Sequence, residues 1–296
     1  MMSLAGCMMS DIPPVRVHPM RPVRFSRVHA VNGGNLMADT APVMAVQTRG
    51  HGPDLVLFHG GMGCWQHWCR NIPVLAAHWT VHALDHPGYG ASVDVSRELT
   101  GPAYLDLVYQ TLLQMFPGDM PLRFAGFSFG GAIATNMAQR LGPRVTHLGL
   151  ISPGGFPPRS YADRPTRSYK QAGDDRALFR DVCRHNLLVN MLSDPASIGE
   201  DTIDIQEYCV RRARFNSRKV SGGGTLLPDL TQLVCPVQLL WGERDDAPYR
   251  PAETLIGQIR EATQRLEVQR IPQAGHWSAY ENAPEVNRHM LAFFQR

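Results

Sequence analysis

Gly126-Phe127-Ser128-Phe129-Gly130 follows an apolar run, Leu122 to Ala125, and precedes a helix-like stretch, Gly131 to Leu141. A G-x-S-x-G between a strand and a helix turns the chain sharply and lifts its serine into strained, exposed geometry. The glycines two before and two after the serine are needed because a side chain at either would collide across the turn. A serine hydroxyl is a poor nucleophile until a base takes its proton, and that base needs an acid to orient it. The rest of the chain supplies both, in the order serine, acid, histidine.

The acid candidates follow Val237-Gln-Leu-Leu-Trp241, a short apolar strand that leads into Gly242-Glu243-Arg244-Asp245-Asp246. An acid just past a strand end sits at the rim of a parallel sheet, where α/β active sites lie. Leu266 to Ile271 reads as another strand, and Pro272-Gln-Ala-Gly-His276-Trp277 follows it, with Gly275 giving the backbone freedom. A third strand, Leu55-Val-Leu-Phe58, ends in His59-Gly60-Gly61-Met62-Gly63. Small residues there let backbone N–H groups converge on a developing negative charge, worth roughly 3–4 kcal/mol per donor. The N–H of Phe129, the residue after the serine, is the expected second donor.

With these residues the chain resembles the α/β-hydrolase-fold enzymes from about residue 42 to the end, apart from a middle insert. Asp85-His-Pro-Gly-Tyr-Gly-Ala-Ser92 strengthens the likeness, since D-x-P-G-x-G-x-S is a further hallmark of that family. The resemblance implies Ser128 as nucleophile, His276 as base and Asp245 as orienting acid, with Asp246 its nearest rival. It also implies Gly61 and Phe129 as the oxyanion donors.

Composition narrows the class. At 296 residues the chain can bury a full core, as one large domain or a domain with an insert. A content of 44% hydrophobic and 19% charged residues is that of an ordinary globular protein. A net charge of +3 without a basic tail does not point to nucleic acid. Lys170 and Lys219 are the only lysines among 29 basic residues. Six cysteines, Cys7, Cys64, Cys69, Cys183, Cys209 and Cys235, lack the paired spacing of a metal site and read as free thiols. No apolar run approaches the ~20 residues of a membrane span. Leu4-Ala5-Gly6-Cys7 imitates a lipoprotein processing site, but what precedes it has neither a basic start nor an apolar core. The expected location is cytoplasmic, with a small-molecule substrate, no metal, no cofactor, no nucleic-acid or membrane partner, and room for a homo-oligomer.

Strand patterns at residues 43–47, 55–58, 81–84, 122–125, 148–151, 237–241 and 266–271 alternate with helical ones at about 102–116, 131–141, 252–263 and 283–295. Such alternation predicts an α/β fold: a mainly parallel, twisted sheet flanked by helices. Residues 1–22, with four prolines, read as a loosely ordered lead-in, and 23–154 with 230–296 as the core. Residues 155–229 lack strand patterning and hold helical stretches at about 174–192 and 203–218; by the resemblance they form a helical cap, inserted before the acid-bearing strand. On a helix over 203–218, Arg211, Arg214 and Arg218 would share one face. A clamp on a substrate carboxylate and a solvated face paired with Glu207 and Asp204 are the two readings of that stretch.

The segment from Ala274 to Asn287 resembles the meta-cleavage-product hydrolases, which cut a C–C bond in 2-hydroxy-6-oxo-dienoates. That group carries a tryptophan after the histidine, as Trp277 is here, and a cap arginine, for which Arg211 or Arg212 is the candidate. It has asparagines where this chain has Phe127 and His67, which implies a different acyl partner. Met62, Phe127, Arg211, Arg212 and Trp277 are the expected substrate contacts. The leading expectation is a serine hydrolase of a small carboxylic ester. Dienoate C–C cleavage, an iminopeptidase or amidase activity, and a non-catalytic small-ligand receptor on the same fold are the alternatives.

Overall fold

In the computed structural model, which describes residues 43–157, 165–247 and 250–296, seven strands form one sheet. They are β1 (Val46–Arg49), β2 (Asp54–Phe58), β3 (Thr80–Leu84), β4 (Leu122–Phe127), β5 (Val145–Ile151), β6 (Val237–Gly242) and β7 (Leu266–Ile271). Their order is β1-β3-β2-β4-β5-β6-β7, and every pairing is parallel except that of β1 with β3. The expected lead-in and residues 23–42 of the expected core lie outside the described residues. The first strand begins at Val46, three residues later than the apolar run at 43–47 predicts, because pairing with Val81–Leu84 fixes its register.

Between the strands run helices α1 (Ile72–Leu75), α2 (Gly101–Met115) and α3 (Phe129–Leu141), then α4 (Arg176–Asn190), α5 (Glu200–Arg211), α6 (Arg218–Ser221) and α7 (Leu226–Leu230). After β6 come α8 (Ala252–Ala262), α9 (Ser278–Glu281) and α10 (Ala283–Phe294). The period-two alternation of strand side chains explains why helices cover both faces. Val56 and Phe58 of β2 join a core with Phe124, Leu239 and residues of α2, α3 and α8. Leu55 and Leu57 point the other way, into a core with Phe293 and Phe294 of α10 and with Phe179 and Leu187 of α4.

The insert leaves the sheet after β5 and returns at β6. Helices α4 and α5 pack on each other and are laced by charge: Arg180 reaches Glu200 (2.6 Å), Asp204 (2.6 Å) and Glu207 (2.8 Å). The single helix expected over 203–218 does not form. Helix α5 ends at Arg211, the Arg214 N–H donates to the Gly88 carbonyl at 2.7 Å, and Phe215 stacks on Tyr104 with ring centroids 3.9 Å apart. Burying Phe215 in the core outweighs continued helix, so Arg211, Arg214 and Arg218 share no helix face. Helices α6 and α7 then pack back on α3.

The crossing of β2 and the start of α3 is tightly packed. A Cβ on Gly130 would lie 2.2 Å from the Phe58 carbonyl oxygen and 2.5 Å from that of His59, both backbone atoms. Gly130→Ala is therefore expected to destabilise the chain by roughly 3 kcal/mol or more. Urea denaturation checks this; a loss under 1 kcal/mol, the usual scale of a tolerated change, would show that the two segments can part without cost.

Candidate active site

Ser128 sits between β4 and α3 with φ 52° and ψ −116°, a conformation L side chains rarely adopt. Such strain costs about 1–3 kcal/mol and persists only where neighbours impose it. Here they do: the Ser128 N–H donates to the Ile151 carbonyl at 3.0 Å, and its carbonyl accepts from Gly154 N–H at 2.7 Å and Gly131 N–H at 2.9 Å. Gly126 passes so close that a Cβ would lie 2.4 Å from the Gly130 carbonyl oxygen.

Ends of three neighbouring parallel strands and their loops converge on this serine. His276, past β7, places Nε2 2.9 Å from Ser128 Oγ, and its Nδ1 lies 2.9 Å from Asp245 Oδ2. Asp245 follows β6 by three residues and turns its other oxygen to Arg250. Burial pushes the Asp245 carboxyl up, but the charges of His276 and Arg250 win and hold it well below the usual carboxylate range. Asp246 is turned elsewhere, accepting the Ala252 N–H at the start of α8 (2.9 Å). An ionised Asp245 fixes the Nδ1–H tautomer of His276 and leaves Nε2 able to accept the Ser128 proton.

The loop after β2 lies opposite. Gly61 and Met62 line the same cavity as Ser128, Phe129 and His276. Met62 has φ 54°, a strained value for a side-chain-bearing residue. Three buried histidines back this loop: His59 and His86 rings lie 4.1 Å apart, and His67 Nδ1 accepts the Gly60 N–H at 3.2 Å. Burial lowers His59 to about 3 and holds His67 and His86 well below the usual histidine range.

The cavity measures about 580 Å³ and is roofed by the insert through Tyr169, Asn186, Asn190, Gln206 and Val210. Its lining includes Arg167, Lys170, Arg218 and Arg250, and no aspartate or glutamate among the described residues. Arg211 and Arg212 are not in it. Arg211 donates to Glu207 at 3.0 Å and lies over the Phe179 ring, while Arg212 lies over Tyr208; the early end of α5 turns both away and brings Arg218 to the cavity instead. Trp277 and Phe127 are also absent from the lining. Trp277 is fully buried, donating from Nε1 to the His67 carbonyl at 2.9 Å and stacking on Tyr280. Phe127 is buried with its ring 5.0 Å from that of His276.

Sequence reasoning missed Glu281. Its Oε2 accepts the Gly275 N–H at 2.6 Å, while Oε1 accepts from Ser193 N–H (2.7 Å), Ser193 Oγ (3.0 Å) and Asp194 N–H (2.8 Å). One carboxylate thus ties the His276 loop to the loop after α4. Its place in α9, five residues past His276, was visible, but its partners in the insert were not. Gly275 itself owes its place to close packing rather than to a positive φ: a Cβ there would lie 3.0 Å from Ser193 N.

The model of the alpha/beta hydrolase family matches residues 55–289. The chain belongs to this family. Its relatives include an acetoin-cleaving-system dihydrolipoyllysine-residue acetyltransferase component of Pseudomonas putida, 29% identical over 83% of this chain. The chain spans only 64% of that protein's length. A pimeloyl-[acyl-carrier protein] methyl ester esterase of Photobacterium profundum is 30% identical over 62% of this chain and 70% of its own length. A 2-hydroxy-6-oxo-6-phenylhexa-2,4-dienoate hydrolase of Comamonas testosteroni is 27% identical over 83% and 89%. Among solved structures, a malate-bound esterase of Thermogutta terrifontis shares the fold with a TM-score of 0.68 at 19% identity, covering 85% of this chain and 93% of its own. No helix among the described residues is long and apolar enough to cross a membrane.

The buried histidines give this alpha/beta hydrolase an acid-sensitive core. Below about pH 6.5 the unfolded chain takes up protons that the folded chain excludes, so stability falls as pH drops towards the folded-state values, by about 1.4 kcal/mol per pH unit per histidine. His86 is fully buried, and its ring stacks on Phe58. His86→Phe should flatten the fall of unfolding free energy as pH drops below about 6.5, since the unfolded chain then gains one fewer proton relative to the folded chain. An unchanged slope in denaturant titrations would place the acid sensitivity elsewhere.

Proposed function

We propose that this enzyme hydrolyses a small carboxylic ester through an acyl-enzyme on Ser128. The observation that carries the reading is the unbroken 2.9 Å and 2.9 Å chain from Ser128 Oγ through His276 to Asp245, at the wall of the cavity. Ser128 Oγ attacks the ester carbonyl while His276 Nε2 takes its proton. The carbonyl oxygen becomes an oxyanion, met by the N–H groups of Gly61 and Phe129, the latter one of the unpaired donors at the start of α3. Collapse expels the alcohol, which leaves with the proton from His276. Water then attacks the acyl group with His276 again as base, and Ser128 is regenerated. Asp245 stays ionised throughout, steadying the imidazolium.

The cationic lining favours an acyl group that carries an acid. Lys170 and Arg218 line the cavity, as do Arg167, paired with Asp181, and Arg250, paired with Asp245, and arginine binds carboxylates with directional hydrogen bonds. The same lining favours the second reading, cleavage of a dienoate C–C bond, as in the Comamonas testosteroni relative. There the acid end of the substrate would occupy the same cations, and His276 would also manage tautomerisation of the dienoate.

Ser128→Ala and His276→Ala are each expected to lower kcat/KM by roughly 10³-fold or more, and the double variant no further, because the groups act as a unit. Assays with a short p-nitrophenyl ester and with a 2-hydroxy-6-oxo-dienoate decide the bond. Faster dienoate cleavage would make the second reading the right one. Binding of both without Ser128-dependent turnover would leave a receptor, and multiplicative losses in the double variant would break the triad assignment. For the cations, Arg218→Gln should raise KM about 10-fold for an ester with a free carboxylate and little for its neutral analogue. Equal changes for the two substrates would remove Arg218 from recognition.

A further inference from the structure

Two thiols meet at the seam between the core and the insert. Cys64 follows the loop after β2, and Cys209 lies in α5, 145 residues away in the chain. Both are fully buried, and their sulfurs are 2.8 Å apart. That leaves only about 0.8 Å to close to a covalent S–S bond of about 2.0 Å. The two residues also sit behind opposite walls of the cavity. Gly61 and Met62, just before Cys64, line it from the core, while Gln206 and Val210, beside Cys209, line it from the insert.

We propose that Cys64 and Cys209 form a dithiol site that a low-molecular-weight disulfide oxidises reversibly, stapling α5 to the loop after β2. In the first step one of the two thiolates attacks a sulfur of the small disulfide; a mixed disulfide forms and the first small thiol leaves, carrying the proton. The second cysteine then attacks the protein sulfur of that mixed disulfide and expels the second small thiol. The protein loses two protons and two electrons, and the small disulfide becomes two thiols. Burial, the neighbouring Cys209 and the Asp85 carboxylate push the Cys64 thiol well up, so oxidation is slow and proceeds as the seam parts. The proposal is independent of the bond that Ser128 cleaves.

Other thiols make the pairing a sharp claim. Cys69 is half-buried and within electrostatic reach of Cys209, and Cys183 and Cys235 are buried elsewhere. The full-length protein would be incubated with oxidised glutathione, its remaining thiols alkylated in denaturant, and the digest mapped by mass spectrometry. The expected result is a peptide joining Cys64 to Cys209, lost on adding dithiothreitol. The oxidised form should melt about 5 °C or more higher, because the cross-link closes a long loop in the unfolded chain. Cys209→Ser should show neither the peptide nor the shift. Should that variant fail to fold, the map of the unaltered protein still decides the pairing. Absence of the Cys64–Cys209 peptide, or linkage of either residue to Cys69, Cys183, Cys235 or Cys7, would overturn the site. The linked peptide with an unchanged melting temperature would overturn the staple.

Discussion

The conformation of Ser128 is the constraint on which the rest of the site depends. Its positive φ is held by the carbonyl of Ile151 on one side and the N–H of Gly154 on the other. Both partners belong to β5 and the segment just after it, so the strained turn is as firm as the centre of the sheet. The price is steric. Gly126 and Gly130 must stay bare, since Gly130 lies against the carbonyls that end β2. One backbone crossing thereby fixes the distance between the serine and the loop that carries Gly61. Chemistry that needs reacting groups placed within a few tenths of an ångström is served by such a scaffold more than by any single contact.

His276 is held differently, from the insert. The Trp277 N–H donates to the Met191 carbonyl at 2.7 Å, and Glu281 ties Gly275 to Ser193 and Asp194. Below it, Asp245 divides its two oxygens between His276 and Arg250. The imidazole is thus fixed by the core through Asp245 and by the loop after α4 through its own neighbours. Any movement of the insert is coupled to His276 as well as to the cavity roof. Cys64 and Cys209 are a further place where the insert meets the core.

The cavity wall shows how tertiary packing reassigns residues whose sequence positions look alike. Arg211 and Arg218 belong to one basic stretch, yet Arg211 pairs with Glu207 on the insert's flank while Arg218 reaches the cavity. The difference lies in Phe215, whose ring goes into the core beside Tyr104 and breaks the helix between them. Trp277 is a similar case. Adjacent to the histidine in sequence, it faces away from the cavity, where its indole N–H finds the His67 carbonyl, a partner that a buried indole requires.

The sequence by itself determined the strand-turn-helix around Ser128 and the loop positions of Asp245 and His276. Those signals are local: glycine spacing, apolar runs of strand length, and chain order. The mainly parallel sheet and its two-faced burial follow from the alternation of strands and helices. Tertiary structure alone decided the rest. It ended α5 at Arg211, turned Asp246 away to cap α8, and assigned Glu281 to the His276 loop. It also brought Cys64 to Cys209 across 145 residues. Each of these depends on contacts between segments far apart in the chain, where packing free energy overrides local preference and leaves no pattern in any short window of residues.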